Sequence, residues 1–162
     1  MLFVINAGSS SVKFSVYDIR SLDLIESGQA SVRDHLIHVE ASSSDGAQFE
    51  HDEIIAETEH DRVMVLLHAV HDLLSEQFPI PDAVVHRVVH GGELFSDPVI
   101  VSESIREQLE QLVDLAPLHQ PVNLAGIDVF GEVYPNVVQI ACFDTAFHVG
   151  QSVLETSYAL PQ

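Results

Sequence analysis

The chain has 162 residues, of which 46% are hydrophobic and 19% charged, and this composition is typical of a globular domain with its own core. Its formal charge of −19, from 25 acidic and six basic residues, argues against binding to nucleic acid or to an anionic membrane through a basic surface. The single cysteine, Cys142, excludes an internal disulfide and is typical of a reducing compartment, so we expect a cytoplasmic protein.

The first half of the chain is predicted to form strands. Apolar and polar residues alternate over 12–19, and the neighbouring apolar runs also predict strands. Small polar residues at 6–11 predict a tight turn, so the first two strands form a hairpin. Strands are predicted over 2–5, 12–19, 24–32, 36–41 and 48–51, with a Ser-rich turn before the last of them.

From residue 58 the spacing of the apolar residues changes to that of a helix. Apolar residues spaced by three and four predict an amphipathic helix over 58–77, which Pro79 ends. A strand is predicted over 83–90, and two glycines end it.

Two further helices and a strand are predicted after it. The second helix has Ser102 or Ser104 as its N-cap, and Ser104 with Glu107 fits a capping box. Pro121 fits the first turn of a third helix, and 137–143 is predicted to be a buried strand. The order ββββ(β)-α-β-α-α-β predicts an α/β domain.

The turn after the first strand is a candidate anion site. It carries Asn6, Gly8, Ser9, Ser11 and Lys13, the only lysine of the chain. Short polar side chains and successive backbone N–H groups can cradle a phosphate, and a lysine adds a point charge. The spacing is not that of a Walker A loop, and a plain hairpin turn stays the alternative.

An arginine inside an apolar strand is the second candidate. An unpaired charge there would be costly, so Arg87 meets either a carboxylate of the protein or an anionic ligand. Gly91 and Gly92 follow it and would let a ligand approach closely. His86 and His90 could also be taken as metal ligands, but the sequence indicates no third ligand for them.

A histidine and an aspartate complete the candidates. Two prolines flank His119 in a loop that precedes a helix, and a rigid loop can aim a hydrogen-bond donor. Asp144 directly follows a buried strand, where α/β sheets place their sites, and a carboxylate there can bind Mg²⁺ or orient a nucleophile. The alternatives are a histidine that only packs and an aspartate that caps a turn.

Taken together, these segments resemble the acetate kinase family. Five motifs stand in the family's order and spacing: INAGSSSVKF at 5–14, HRVVHGGE at 86–93, APLHQP at 116–121, FDTAFH at 143–148 and YALP at 158–161. One departure is Gln120, where the family usually has Asn. The resemblance implies an actin, hexokinase and Hsp70-type fold, which is ribonuclease H-like: a mixed sheet with N-terminal antiparallel strands and flanking helices.

The resemblance also implies a reaction, which is transfer of the γ-phosphoryl group of ATP to acetate, with Mg²⁺, to give acetyl phosphate. By the same resemblance, Ser9, Ser11 and Lys13 would lie at the phosphates of the nucleotide. Asn6 and Asp144 would lie at the metal. No nucleic-acid or membrane partner is expected.

The catalytic and substrate residues follow from the same resemblance. Arg87 would bind the carboxylate or the phosphoryl group, His119 would hydrogen-bond the phosphoryl group, and Asp144 would hold Mg²⁺ or orient acetate. Val89 and Leu118 would line a pocket for the methyl group. A carboxylate nucleophile needs no strong base, so alignment and charge neutralisation would carry the catalysis.

The family's proteins are much longer than this chain. We therefore expect residues 1–162 to be an N-terminal domain without the second, nucleotide-binding domain, and to turn over little or not at all alone. The full-length family is expected to form homodimers. The alternatives left open are a propionate or butyrate kinase, a non-catalytic domain that binds phosphate or acyl phosphate, and a fragment without a ligand.

Overall fold

The computed structural model describes residues 1–54, 62–148 and 150–157, and it contains one eight-stranded sheet. The strands are β1 (Leu2–Ala7), β2 (Ser11–Tyr17), β3 (Leu24–Arg33), β4 (Leu36–Ser43), β5 (Gln48–Ile54), β6 (Ala83–Val88), β7 (Val99–Ile100) and β8 (Val138–Phe143). The helices are α1 (Arg62–Gln77), α2 (Glu103–Glu110), α3 (Gln120–Val133) and α4 (Val153–Thr156), with 3₁₀ turns at Val113–Leu115 and Asp144–His148.

The strand order across the sheet is β5-β4-β3-β2-β1-β6-β8-β7. Strands β1 to β5 form an antiparallel meander, whereas β1, β6 and β8 run parallel to one another. Parallel neighbours require crossovers, which are supplied here by α1 and by the α2–α3 pair. The predicted mixed α/β sheet with antiparallel N-terminal strands is therefore confirmed.

Helices α1 and α3 pack on one face of the sheet. The alternation in β1 and β2 directs Phe3, Ile5, Phe14 and Val16 into the main core, where they meet the apolar faces of α1 and α3. The apolar face of α1 is buried at Leu66, Leu67, Val70, Leu73 and Leu74, as its period predicts. Residues of the opposite parity, such as Asn6, Lys13 and Arg87, therefore lie on the other face, which we call the open face.

Several predicted boundaries shift for local reasons. The second strand ends at Tyr17 because the Asp18 carboxylate accepts hydrogen bonds from Arg20 N at 2.8 Å and Ser21 N at 2.9 Å, which closes a turn. These bonds also lower the pKa of Asp18. The sixth strand ends at Val88 because the next two backbone N–H groups bond to side chains of α3.

The N-cap of α2 is Ser102, whose hydroxyl accepts from Ile105 N at 3.3 Å. Ser104 lies inside the helix, so the capping box predicted for it with Glu107 is wrong. Strand β7, the 3₁₀ turn after β8 and α4 were not predicted, because each is too short to show a period. The predicted helix segment 58–61 and the motif at 158–161 lie outside the described residues.

None of the helices in the described ranges combines the length and the apolar character that crossing a lipid bilayer requires.

Candidate active site

Three parallel strands end at the same edge of the sheet and bring three polar side chains together. The parallel register aligns Ile5 with His86, so the following residues, Asn6 and Arg87, are neighbours on the open face. Strand β8 pairs with β6 on its other side, and Asp144 directly follows β8. The carboxyl ends of parallel strands are where α/β sheets place their ligands, which makes this edge the candidate site.

Arg87 is the centre of this group. Its Nε donates to Oδ1 of Asp144 at 2.9 Å and its Nη2 donates to Oδ2 at 2.5 Å, a bidentate pairing. Its Nη1 donates to Oδ1 of Asn6 at 3.0 Å. The side chains of Arg87 and Asp144 are 47% and 41% exposed, because both project from the face opposite α1 and α3.

This geometry decides between the two interpretations of an arginine in an apolar strand. Arg87 meets a carboxylate of the protein itself, but at a solvent-facing edge rather than in the core. Three of its N–H groups have partners, and a guanidinium has five, so two remain without a partner in the described ranges. An anion can therefore approach Arg87 while Asp144 and Asn6 hold its guanidinium in place.

The turn after β1 is a tight hairpin turn, as predicted. Gly8 N donates to the carbonyl of Ser11 at 2.9 Å, and a Cβ at Gly8 would lie only 3.0 Å from that same oxygen. Ser9 is exposed and Ser11 is half-buried. Lys13 is exposed and pairs in register with Asn6, so both stand on the open face next to Arg87.

The segment after β6 is held by side chains from other elements. Val89 N donates to Oδ1 of Asn123 at 3.0 Å, and His90 N donates to Oε1 of Gln120 at 3.3 Å. Gly91 N donates to the hydroxyl of Thr145 at 3.1 Å, which ties this segment to the turn that begins at Asp144. These three backbone N–H groups therefore already donate hydrogen bonds to side chains of the protein.

His119 and Leu118 lie at the start of α3 and face solvent. His119 is the N-cap residue and is exposed, while Leu118 is 78% exposed and Val89 is half-buried. Among the hydrogen bonds and ion pairs of residues 1–54, 62–148 and 150–157, none joins the His119 side chain to Arg87 or Asp144. The structure therefore brings Asn6, Arg87 and Asp144 together, whereas the methyl pocket and the role of His119 stay predictions.

The two histidines that flank Arg87 do not form a metal site. His86 is 1% exposed and its Nε2 hydrogen-bonds to Oε1 of Gln139 at 2.5 Å. Burial lowers the pKa of His86 to about 4, so its ring is neutral at physiological pH. His90 lies beyond the strand, and its Nδ1 accepts from Gly92 N at 2.8 Å. Within the described residues, no cluster of three or more His, Cys, Asp or Glu side chains is arranged to hold a metal.

Residue-by-residue reasoning missed three polar side chains that support the site. In the sequence Gln120 stands out only as a departure from the family pattern, and nothing indicates a role for Asn123 or Thr145. All three bond to backbone groups of the segments that carry the candidate residues. The available signal was the pair of amides three residues apart at the start of α3, on the side of the helix that also carries Leu124 and Ile127 in the core.

Comparisons with known proteins identify the family of this chain. The chain matches the model of the acetokinase family over residues 1–162. It is 40% identical over 167 residues to the acetate kinase of Rhodopseudomonas palustris (strain TIE-1), covering 100% of this chain and 42% of that protein. It is 41% identical over 164 residues to the acetate kinase of Rhizobium meliloti, with 99% and 42% covered.

Solved structures give the same result. The acetate kinase of Porphyromonas gingivalis superposes with a TM-score of 0.80 at 30% identity, covering 99% of this chain and 41% of that chain. A propionate kinase from Francisella tularensis subsp. tularensis SCHU S4 gives 0.76 at 29% identity, again with 99% and 41% covered. The chain thus spans about two fifths of the length of these relatives. The expected fold of the actin, hexokinase and Hsp70 type is confirmed, and the chain belongs to the acetokinase family.

Proposed function

We propose that residues 1–162 are the N-terminal domain of an acetate kinase-like enzyme that transfers the γ-phosphoryl group of ATP to acetate. The observation that carries this proposal is the convergence of Asn6, Arg87 and Asp144 at one edge of the sheet. The partners would be acetate, or another short carboxylic acid, and ATP or ADP. The nucleotide-binding domain would be a second domain of the parent protein, which would form a homodimer in the cytoplasm.

Arg87 would bind the acetate carboxylate or the phosphoryl group through its two remaining N–H groups. The bidentate contact from Asp144 and the contact from Asn6 fix the plane of the guanidinium, so little side-chain entropy remains to be lost when an anion binds. In a reaction between two anions, a fixed positive charge lowers the barrier by neutralising charge on the phosphoryl oxygens. Because acetate attacks as its carboxylate, no general base is required.

The other candidate residues would complete the site. His119 would donate a hydrogen bond to the transferring phosphoryl group, and its exposure at the start of α3 leaves the ring accessible. Val89 and Leu118 would line the pocket for the methyl group of acetate. Ser9, Ser11 and Lys13 would lie at the phosphates, and Lys13 stands beside Asn6 on the open face.

The residues at this edge fit a magnesium ion. The amide oxygen of Asn6 and the carboxylate oxygens of Asp144 are the kind of ligand that Mg²⁺ takes. Each accepts one hydrogen bond from Arg87 and keeps a second lone pair that the metal would use. Mg²⁺ commonly takes one or two protein oxygens and keeps the rest of its sphere for water and substrate phosphates. When bound with the nucleotide, it would neutralise charge on the phosphate oxygens.

Binding of acetyl phosphate, measured by calorimetry on the 162-residue chain, tests this proposal. The trio of Asn6, Arg87 and Asp144 lies within this chain, so we expect saturable binding even without turnover. A chain that binds neither acetyl phosphate nor inorganic phosphate would contradict the proposal. Propionyl phosphate and butyryl phosphate as competitors would show which acyl group the site prefers.

Turnover is the second measurement. The chain is incubated with MgATP and acetate, and acetyl phosphate is trapped with hydroxylamine, with Asp144→Asn as the control. We expect no product at the rates of roughly 1–100 s⁻¹ that are usual for kinases. Product that disappears in the control would show that this chain alone completes a site. Binding without product would be the behaviour of a separated domain or of a non-catalytic acyl phosphate-binding domain.

A further inference from the structure

Two buried amides at the start of α3 have no role in the proposed chemistry. Gln120 is 0% exposed and Asn123 is 3% exposed, although both are polar side chains that lose hydration on burial. They stand three residues apart and so lie on one face of the helix. Asn123 bonds to Ala7 at the end of β1 and to Val89 just beyond β6. Gln120 bonds to His90 and to the carbonyl of Leu109 in α2, so the polar atoms of both amides find partners in spite of their burial.

The side chain of Asn123 takes the place of a backbone hydrogen bond between β1 and β6. The backbone pairing between β1 and β6 ends at Ile5 and His86. Beyond it, Nδ2 of Asn123 donates to the carbonyl of Ala7 at 2.9 Å, and Oδ1 accepts from Val89 N at 3.0 Å. One side-chain amide thus joins two strand ends that are 82 residues apart in sequence, as a peptide group would do in a regular ladder.

The two strand ends joined in this way carry the site. Asn6 precedes Ala7 directly, and Arg87 stands two residues before Val89. The contact between Arg87 Nη1 and Asn6 Oδ1, at 3.0 Å, requires that β1 and β6 keep their separation up to this level. Without Asn123, the exposed contact between Arg87 and Asn6 would itself have to hold the two strand ends together beyond Ile5 and His86.

We propose that Asn123 is a positioning residue: its amide sets the distance between the strand ends that carry Asn6 and Arg87, and thereby orients the Arg87 guanidinium. The importance of that orientation for catalysis rests on the proposed function. Asn123 touches no substrate in this scheme and acts through the two strands. Gln120, one turn earlier in α3, holds the segment after β6 as well, because its amide bonds to both the N–H and the carbonyl of His90.

The test observes the Arg87 side chain directly. The chain has five arginines, so a ¹⁵N-edited NMR spectrum of arginine Nε–H groups is simple, and Arg87→Lys assigns the relevant signal. In the wild-type chain the Arg87 Nε–H bonds to Asp144, so its exchange with water is slowed. Asn123→Leu keeps the approximate volume and removes both hydrogen bonds. We expect the Arg87 signal to exchange about tenfold faster or to disappear.

The matched control is Gln139→Leu. Gln139 is also a buried amide, 8% exposed, and it bonds to His86 and to the carbonyl of Phe130 in α3. Its loss should destabilise the fold by a similar mechanism while the Arg87 signal is retained. If both variants change the Arg87 signal equally at matched stability, the effect is global and the inference is wrong.

A second variant covers the case in which Asn123→Leu does not fold. Asn123→Asp keeps the shape and the acceptor for Val89 N, but the ionised carboxylate cannot donate to the carbonyl of Ala7. Burial raises the pKa of such a carboxyl, so lowering the pH from 8 to 5.5 restores an O–H donor. At each pH the Arg87 signal is compared with that of the wild-type chain at the same pH, because exchange of N–H groups with water slows in every variant as the pH falls. We expect the difference between the two to disappear over this range. No recovery, or an unperturbed signal at pH 8, would overturn the inference.

Titration with acetyl phosphate separates this inference from the proposed function. If the wild-type chain does not bind acetyl phosphate but its Arg87 signal still depends on Asn123, the positioning role stands and the proposed function fails. If wild-type chain and Asn123→Leu bind with equal affinity and show the same Arg87 signal, the inference fails and the proposed function stands. We expect binding to Asn123→Leu to be weaker by about tenfold.

Discussion

Arg87 and Asn6 are 81 positions apart in sequence, and yet Nη1 of Arg87 donates to Oδ1 of Asn6 at 3.0 Å. The same guanidinium is paired on another edge by the carboxylate of Asp144, 57 positions further along the chain. Arg87 is thus held on one side by the end of β1 and on the other by the turn that follows β8. A lysine could not reproduce this arrangement, because its ammonium group is a point charge without a planar fork.

Replacing Arg87 by lysine tests that difference. We expect Arg87→Lys to weaken acetyl phosphate binding by about tenfold or more, which corresponds to about 1.4 kcal/mol. The measurement is calorimetry at fixed ionic strength. Arg106→Lys is the matched control, because Arg106 makes the same bidentate contact with Asp128, at 2.8 Å for both bonds, between α2 and α3. Equal losses in the two variants would contradict a specific role for Arg87.

The pair of Arg87 and Asp144 should contribute little to stability. Both side chains are close to half exposed, so solvent screens their attraction. We expect Asp144→Asn to change the free energy of unfolding, measured in urea, by less than about 1 kcal/mol. A loss above about 3 kcal/mol would be the signature of a buried pair and would contradict the exposed geometry.

His86 should make stability depend on pH. Burial lowers its pKa to about 4 from 6.5, so between these values the unfolded chain binds a proton that the folded chain does not. The stability that depends on a neutral His86 is therefore fully present above pH 6.5, and the free energy of unfolding decreases as the pH falls towards 4. We expect a loss of about 2 kcal/mol between pH 7 and pH 5.

Chemical denaturation at a series of pH values measures this dependence. His86→Gln keeps a polar side chain but cannot titrate, so its stability should fall less over the same range. His68→Gln, at an exposed position of α1, leaves His86 in place and should retain the wild-type dependence. Identical curves for His86→Gln and the wild-type chain would show that His86 is not the group responsible.

Two glycine substitutions should have opposite effects. A Cβ at Gly91 would lie 2.4 Å from the carbonyl oxygen of Phe95 and 3.0 Å from the Phe143 ring, so Gly91→Ala should cost about 1–3 kcal/mol. A Cβ at Gly131, near the end of α3, meets nothing within 4 Å, so Gly131→Ala should stabilise the chain by about 0.5–1 kcal/mol. Thermal unfolding of both variants checks the sign. An unchanged stability of Gly91→Ala would mean that the segment around Gly91 has room for a Cβ, which would contradict these distances.

The sequence by itself determined the α/β class, the strands of the meander and the helical segments. Alternation in β2 and the helical spacing in α1 depend on which face each element buries, and that information is local. The residue types of the site were also visible, because an arginine in an apolar strand and an aspartate after one are conspicuous wherever the strands lie. The family motifs then placed these residues in one site.

Only the tertiary structure decided which of these residues meet. The neighbours of Arg87 depend on the strand order β1-β6-β8, and that order is set by crossovers through α1 and the α2–α3 pair rather than by any local pattern. The same holds for Asn123, whose amide has a role only because two strand ends stop pairing beside it. Local periodicity encodes which face is buried, but contacts between distant strand ends arise only when the whole sheet has formed.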